Sequence, residues 1–99
     1  MKKNKTVTTR TAAELAEALG LSAADGLEME IRSNLNDKII NVVKSKKLTH
    51  AQVAKLAQTS RTRITAILNR NTGDVSTDLM LRILGSLGIH AKLQFKSAA

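Results

Sequence analysis

The sequence predicts a mainly α domain of five helices followed by one β-strand. Three observations carry that expectation. Apolar residues recur at helical spacing between residues that start helices and residues that stop them. Clean two-residue alternation marks residues 89–95, where Ile89, Ala91, Leu93 and Phe95 are separated by polar or basic neighbours. With 99 residues and 42% hydrophobic content, the chain can build one modest core and no second one. Phe95 is the single aromatic residue, so that core is aliphatic.

The elements follow in order. Residues 1–10 are polar, aperiodic and rich in Thr and Lys, which reads as a flexible basic arm ahead of a domain spanning 11–99. Thr11 and Glu14 stand at capping-box spacing and open a short helix through Leu15 and Leu19, which Gly20 stops. Ser22 can cap a longer second helix with Leu27, Ile31, Leu35, Ile39 and Val43 as its apolar stripe and Ile40 and Val42 beside it. Lys44, Lys46 and Lys47 fall in its last turn, where cations complement the helix dipole.

Thr49 and Gln52 make a second capping box, opening a short helix that the polar run Gln58, Thr59, Ser60 interrupts. Ser60 then caps a helix from Arg61 to about Asn69, with Ile64, Ile67 and Leu68 apolar. Residues 70–74 are turn formers. Ser76 or Thr77 caps a last helix that buries Leu79, Met80, Ile83, Leu84 and Leu87, with Gly85 inside it at some cost and Gly88 at its end.

A strand over 89–95 has no second strand in the chain to pair with. Its ladder groups are satisfied if it pairs with the same strand of a second copy about a two-fold axis, through Ile89, Ala91, Leu93 and Phe95. The alternative is a strand that packs on a helix and stays solvated.

Charge is distributed unevenly. The net formal charge is +8, yet residues 11–37 are acidic, with Glu14, Glu17, Asp25, Glu28, Glu30 and Asp37 against Arg32 alone. Residues 38–73 then carry Lys38, Lys44, Lys46, Lys47, Lys55, Arg61, Arg63 and Arg70 and no acid. Such a stretch repels itself unless an anionic partner neutralises it, and nucleic acid is the usual one. The absence of Cys removes disulfides, thiolate metal sites and thiol nucleophiles. His50 and His90 have no paired acids or metal spacing around them, so neither a catalytic nor a metal site is expected, and no cofactor. No apolar run reaches the roughly 18 residues of a membrane span. The basic start MKKNK is followed by no apolar core of a secretory signal, so a cytoplasmic, nucleoid-associated protein is expected.

Residues 49–70 carry the chemistry. Two short helices crossing steeply need a small residue at the crossing, supplied by Ala54, and Val53, Ala57, Ile64 and Ile67 are spaced to bury the joint. The second helix then presents Arg61, Thr62, Arg63, Thr65 and Ala66 outward. Residues near the start of such a helix reach base edges in the major groove while the first helix crosses the backbone. Arg pairs bidentately with guanine, and Thr and Ala meet a thymine methyl. The expected partner is therefore double-stranded DNA. RNA is disfavoured by the lack of aromatic stacking residues on a sheet.

This segment resembles the XRE type of helix-turn-helix, the group of the phage Cro and repressor proteins, with Thr49, Ala54, Ser60, Ile64 and Ile67 at that family's intervals. The resemblance extends from about Thr11 to Phe95 and implies a lambda-repressor-like fold. It points to a compact subgroup that includes HigA-like antitoxins and phage-related regulators. It also implies roles. Arg61, Thr62 and Ala66 match base-reading positions, with Arg63 and Thr65 beside them. Ser60, Asn69 and Arg70 match phosphate positions, together with Thr49, Lys55 and His50. The family usually has Gln where His50 stands, and a His would make that contact pH-dependent. Gln58 occupies a turn position that is often Gly. Two functions follow from the resemblance. One is a transcriptional repressor, acting as a homodimer on a two-fold operator. The other is an antitoxin that neutralises a small basic toxin protein through the acidic 11–37 segment and represses its own operon.

Overall fold

The computed structural model describes Glu14, Gly20 and residues 23–94. Among these residues four helices are delimited: α1 (Ala23–Ser45), α2 (His50–Ala57), α3 (Arg61–Leu68) and α4 (Thr77–Ser86). The chain divides into two compact units, residues 1–34 and residues 35–99. In the first, Glu14 has helical backbone and Gly20 takes φ +80, the left-handed conformation suited to a helix stop. The remainder of the expected first helix lies outside the described residues, as do the 1–10 arm and Phe95.

The second unit holds the core. Ile39, Val53, Ile64, Ile67, Met80 and Ile83 are its largest fully enclosed side chains, and Leu35, Leu48, Leu68 and Ile89 pack around its margin. Helix α2 packs against both α3 and α4. Ala54 and Ala57 are buried at these contacts, where their small side chains let the short helices approach. Val75 is buried as well and pins the loop between α3 and α4 to the core.

The helix starts fall where cap chemistry places them. Thr49 Oγ1 accepts the Gln52 N–H at 3.1 Å, and the Gln52 side chain accepts the Thr49 N–H at 2.8 Å, a complete capping box. Ser60 Oγ accepts from Arg63 N and Ser76 Oγ from Leu79 N, each at 3.1 Å, so Ser76 rather than Thr77 caps α4.

The helix ends share one device. After each helix a left-handed residue closes a Schellman pair of backbone hydrogen bonds. The wider-spanning bond of each pair, reaching five residues back, runs from Leu48 N to Val43 O (3.1 Å), Thr59 N to Ala54 O (3.0 Å), Asn71 N to Ala66 O (2.8 Å) and Ile89 N to Leu84 O (3.0 Å). Gly88 (φ +83) occupies the left-handed position after α4, but Lys47 (φ 54), Gln58 (φ 56) and Arg70 (φ 60) occupy the other three. An L side chain there crowds the following carbonyl, at a cost of about 1–2 kcal/mol.

Two expectations need correction. Residues 89–94 form no β-ladder, and no strand occurs among the described residues. A strand is defined by its partner, and the single chain offers none. Ile89 is drawn onto the core, while Ala91 and Leu93 are exposed, Leu93 by 72%. The second correction concerns the apolar stripe of α1. Ile39 and Val43 are buried and Leu35 half-buried, but Leu27 is 57% exposed. Each step of four residues overshoots a full turn by about 40°, so a long row spaced by four winds around the helix instead of keeping one face. The face that is buried, Asn36, Ile39, Ile40 and Val43, follows the i, i+3, i+4, i+7 template and starts with a polar residue.

Candidate nucleic-acid interface

Two short helices, α2 and α3, form the candidate interface, joined by residues 58–60. Their buried residues are Val53, Ala54, Ala57, Ile64 and Ile67, the set spaced to bury the joint. With Ile64 and Ile67 inside, the rest of α3 is placed by its pitch. Thr62 points directly away from the core, Thr65 and Ala66 flank it by about 50° on either side, and Arg61 and Arg63 lie on opposite flanks. Arg61, Thr62 and Arg63 are exposed and Thr65 and Ala66 half-buried. One face thus joins two guanidinium groups, two threonines and a small apolar residue within about two turns.

Electrostatics suit the same face to an anion. Helices α1 and α4 carry an acid in the first turn, Asp25 and Asp78, whereas α2 and α3 carry none. The positive ends of the two motif helices are left to an external negative charge. Lys44, Lys47, Lys55, Arg61, Arg63 and Arg70 are all exposed.

The residues expected at phosphates fall into four groups. Thr49 and Ser60 are the N-caps of α2 and α3, and their hydroxyls accept the Gln52 and Arg63 amides. Lys55 and Asn69 are exposed, and Asn69 is the C-cap of α3. Arg70 is exposed, but its Nη1 meets Asp37 Oδ1 at 2.6 Å, an ion pair in which both side chains are about half exposed. His50, the first residue of α2, is half-buried, and its Nδ1 lies 2.8 Å from Thr65 Oγ1. The hydroxyl of Thr65 is therefore engaged with the neighbouring helix.

Three positioning contacts were not anticipated from the sequence. Asn36, 5% exposed, donates from Nδ2 to the Ile67 carbonyl at 2.8 Å and so ties α1 to the C-terminal end of α3. Asp37, the next residue, holds Arg70. His50 and Thr65 link the start of α2 to the middle of α3. Asn36 was legible as the polar residue three before Ile39 on the buried face. The other two are side-chain meetings between separate elements, which spacing within one helix does not reveal.

A family model described as a helix-turn-helix domain matches residues 15–96. No curated protein and no solved structure matches the chain. The matched span takes in α1 through α4 and the whole motif. With an outward helix of arginines and threonines set on a buried two-helix joint, the chain belongs to the helix-turn-helix domain family, a family of DNA-binding regulators.

Proposed function

We propose that the protein is a sequence-specific transcriptional repressor that binds a two-fold DNA operator as a homodimer and is neither an enzyme nor cofactor-dependent. The observation that carries this reading is the outward face of α3, where exposed Arg61 and Thr62 and half-buried Ala66 lie away from the enclosed Ile64 and Ile67 within a stretch holding no acid. In this reading α3 enters the major groove. Arg61, Thr62 and Ala66 read bases, with Arg63 at the edge of that set. Lys55, Asn69, Arg70, His50 and the cap residues Thr49 and Ser60 face the phosphates.

Dimerisation runs through the C-terminal segment. Ala91 and Leu93 are exposed beside the core-bound Ile89 and supply a face that a second copy would cover; the alternating pattern continues to Phe95, outside the described residues. Half-sites then lie about 34–36 Å apart, one helical turn of DNA. No described helix is long and apolar enough to cross a membrane, and a cytoplasmic, nucleoid-associated location fits a DNA partner.

The test is selection of binding sites from a random duplex pool, followed by footprinting. A two-fold consensus with half-sites one turn apart is the expected result. Recovery of no consensus would overturn base reading. The acidic 11–37 segment favours an additional role as antitoxin to a small basic toxin. Such a partner should co-purify from the native host, and its absence from that preparation would remove this role.

A further inference from the structure

His50 and Thr65 sit on different helices of the motif, and the 2.8 Å approach of Nδ1 to Oγ1 is a side-chain hydrogen bond between α2 and α3. Thr65 lies on the outward half of α3, where a base reader would be expected. His50 also borders a cleft of about 350 Å³ whose rim holds Lys44, Lys47 and Asn69 above a floor that includes Leu48 and Leu68. Lys44, Lys47, Asn69 and His50 thus line one cleft with the start of α2, whose first turn has no acid. The cleft belongs to the candidate interface, and its donors suit a phosphate oxygen.

An imidazole serves such a site only if the nitrogen facing the phosphate bears a proton, and a neutral ring carries one proton for two nitrogens. A hydroxyl that donates to Nδ1 leaves the proton on Nε2, at the far side of the ring. We propose that Thr65 is a positioning residue: its Oγ1–H donates to His50 Nδ1 and holds the ring as the Nε2–H donor toward a DNA phosphate. When the ring carries a second proton, Nδ1–H donates to the same Oγ1, so the ring keeps its orientation and Nε2–H still faces outward. Thr65 thereby acts on affinity for the backbone rather than on the choice of base. This inference rests on the DNA-binding reading, but its first half, the tautomer, concerns the free protein.

Two measurements test it. In the free full-length protein, nitrogen-detected correlation spectra of the His50 ring, recorded with the ring neutral, should show the Nε2–H form alone. Thr65→Val should turn this into a tautomer mixture, and Thr65→Ser should restore it. A wild-type ring protonated at Nδ1 would overturn the proposal whatever the DNA result. For binding, the probes are a mixed-sequence duplex and the consensus duplex from the random pool. Thr65→Val should weaken both by the same factor, about 3–10-fold, a loss expected for one hydrogen bond. Thr65→Ser should recover most of that loss, and Thr65→Val should add little once His50→Ala is in place.

A change in base preference at one operator position, with mixed-sequence affinity intact, would make Thr65 a base reader and overturn the inference. An undiminished Thr65→Val effect in the His50→Ala background would overturn it too. If the wild-type protein binds neither duplex, the DNA-binding reading itself fails, and that outcome is distinct from a wrong tautomer.

Discussion

Asn36 shows how a single side chain can tie one helix to another. The Ile67 carbonyl accepts both Asn36 Nδ2 and the Arg70 amide, so the last turn of α3 is tied to α1 through one atom. Asn36→Ala leaves that carbonyl one partner and removes the tie. The expected cost is about 1–2 kcal/mol, seen as a fall of roughly 5–15 °C in melting temperature. An unchanged melting temperature would mean that the contact contributes nothing net. Base reading is a second residue-scale matter. Arg61→Ala should weaken operator binding by about 1–3 kcal/mol and relax specificity at one base pair, whereas Lys55→Ala should weaken all sequences alike. Competition binding against single-base operator variants separates the two, and the same pattern from both substitutions would displace α3 as the reading helix.

At the scale of elements, the junction between α1 and α3 sets which cations are available. Asp37 neutralises Arg70 across an exposed ion pair, a contact that is itself worth at most about 1 kcal/mol of stability. Asp37→Asn should leave the melting temperature nearly unchanged while freeing Arg70 for phosphate. Affinity for mixed-sequence DNA should then rise, and the slope of log affinity against log salt should steepen by about one. An unaltered slope would mean that Arg70 already leaves Asp37 when DNA binds, or never reaches it.

The elements themselves were largely legible, because their signals are local. Thr49 with Gln52, Ser60, and Gly88 act within a few residues of where they stand. The stripe of α1 was legible in type but not in face. A row spaced by four looks continuous in sequence and winds in space, so Leu27 was placed with Val43 when only Val43 is enclosed. Pairings between elements were not legible: nothing near His50 in sequence points to Thr65, and nothing near Arg70 points to Asp37. The alternation over residues 89–94 reports a surface that fits a sheet, and a single chain holds no partner that would make it a strand.

For the whole molecule, the short motif helices depend on a core that, among the described residues, is built from aliphatic side chains and one methionine. Ile39, Ile64, Ile67, Met80 and Ile83 carry it. Ile67→Ala should therefore cost about 2–5 kcal/mol, enough to unfold a sizeable fraction of a small domain. Chemical denaturation should show a lower midpoint with an unchanged slope. Assembly is the other molecular-scale expectation. Leu93→Lys places charge on the exposed C-terminal face and should shift sedimentation from dimer to monomer, with loss of the two-fold footprint but not of binding to one half-site. A dimer that survives this change would move the interface elsewhere.

The three left-handed positions filled by Lys47, Gln58 and Arg70 have a consequence for any effort to improve the protein. Glycine at Gln58 should raise stability by about 0.5–1 kcal/mol through relief of backbone crowding. Glycine at Lys47 or Arg70 should do the same for the fold while deleting a cation beside the cleft or at the end of α3. A screen for heat tolerance and a screen for operator occupancy would then pull those two sites in opposite directions, and only Gln58→Gly should emerge from both.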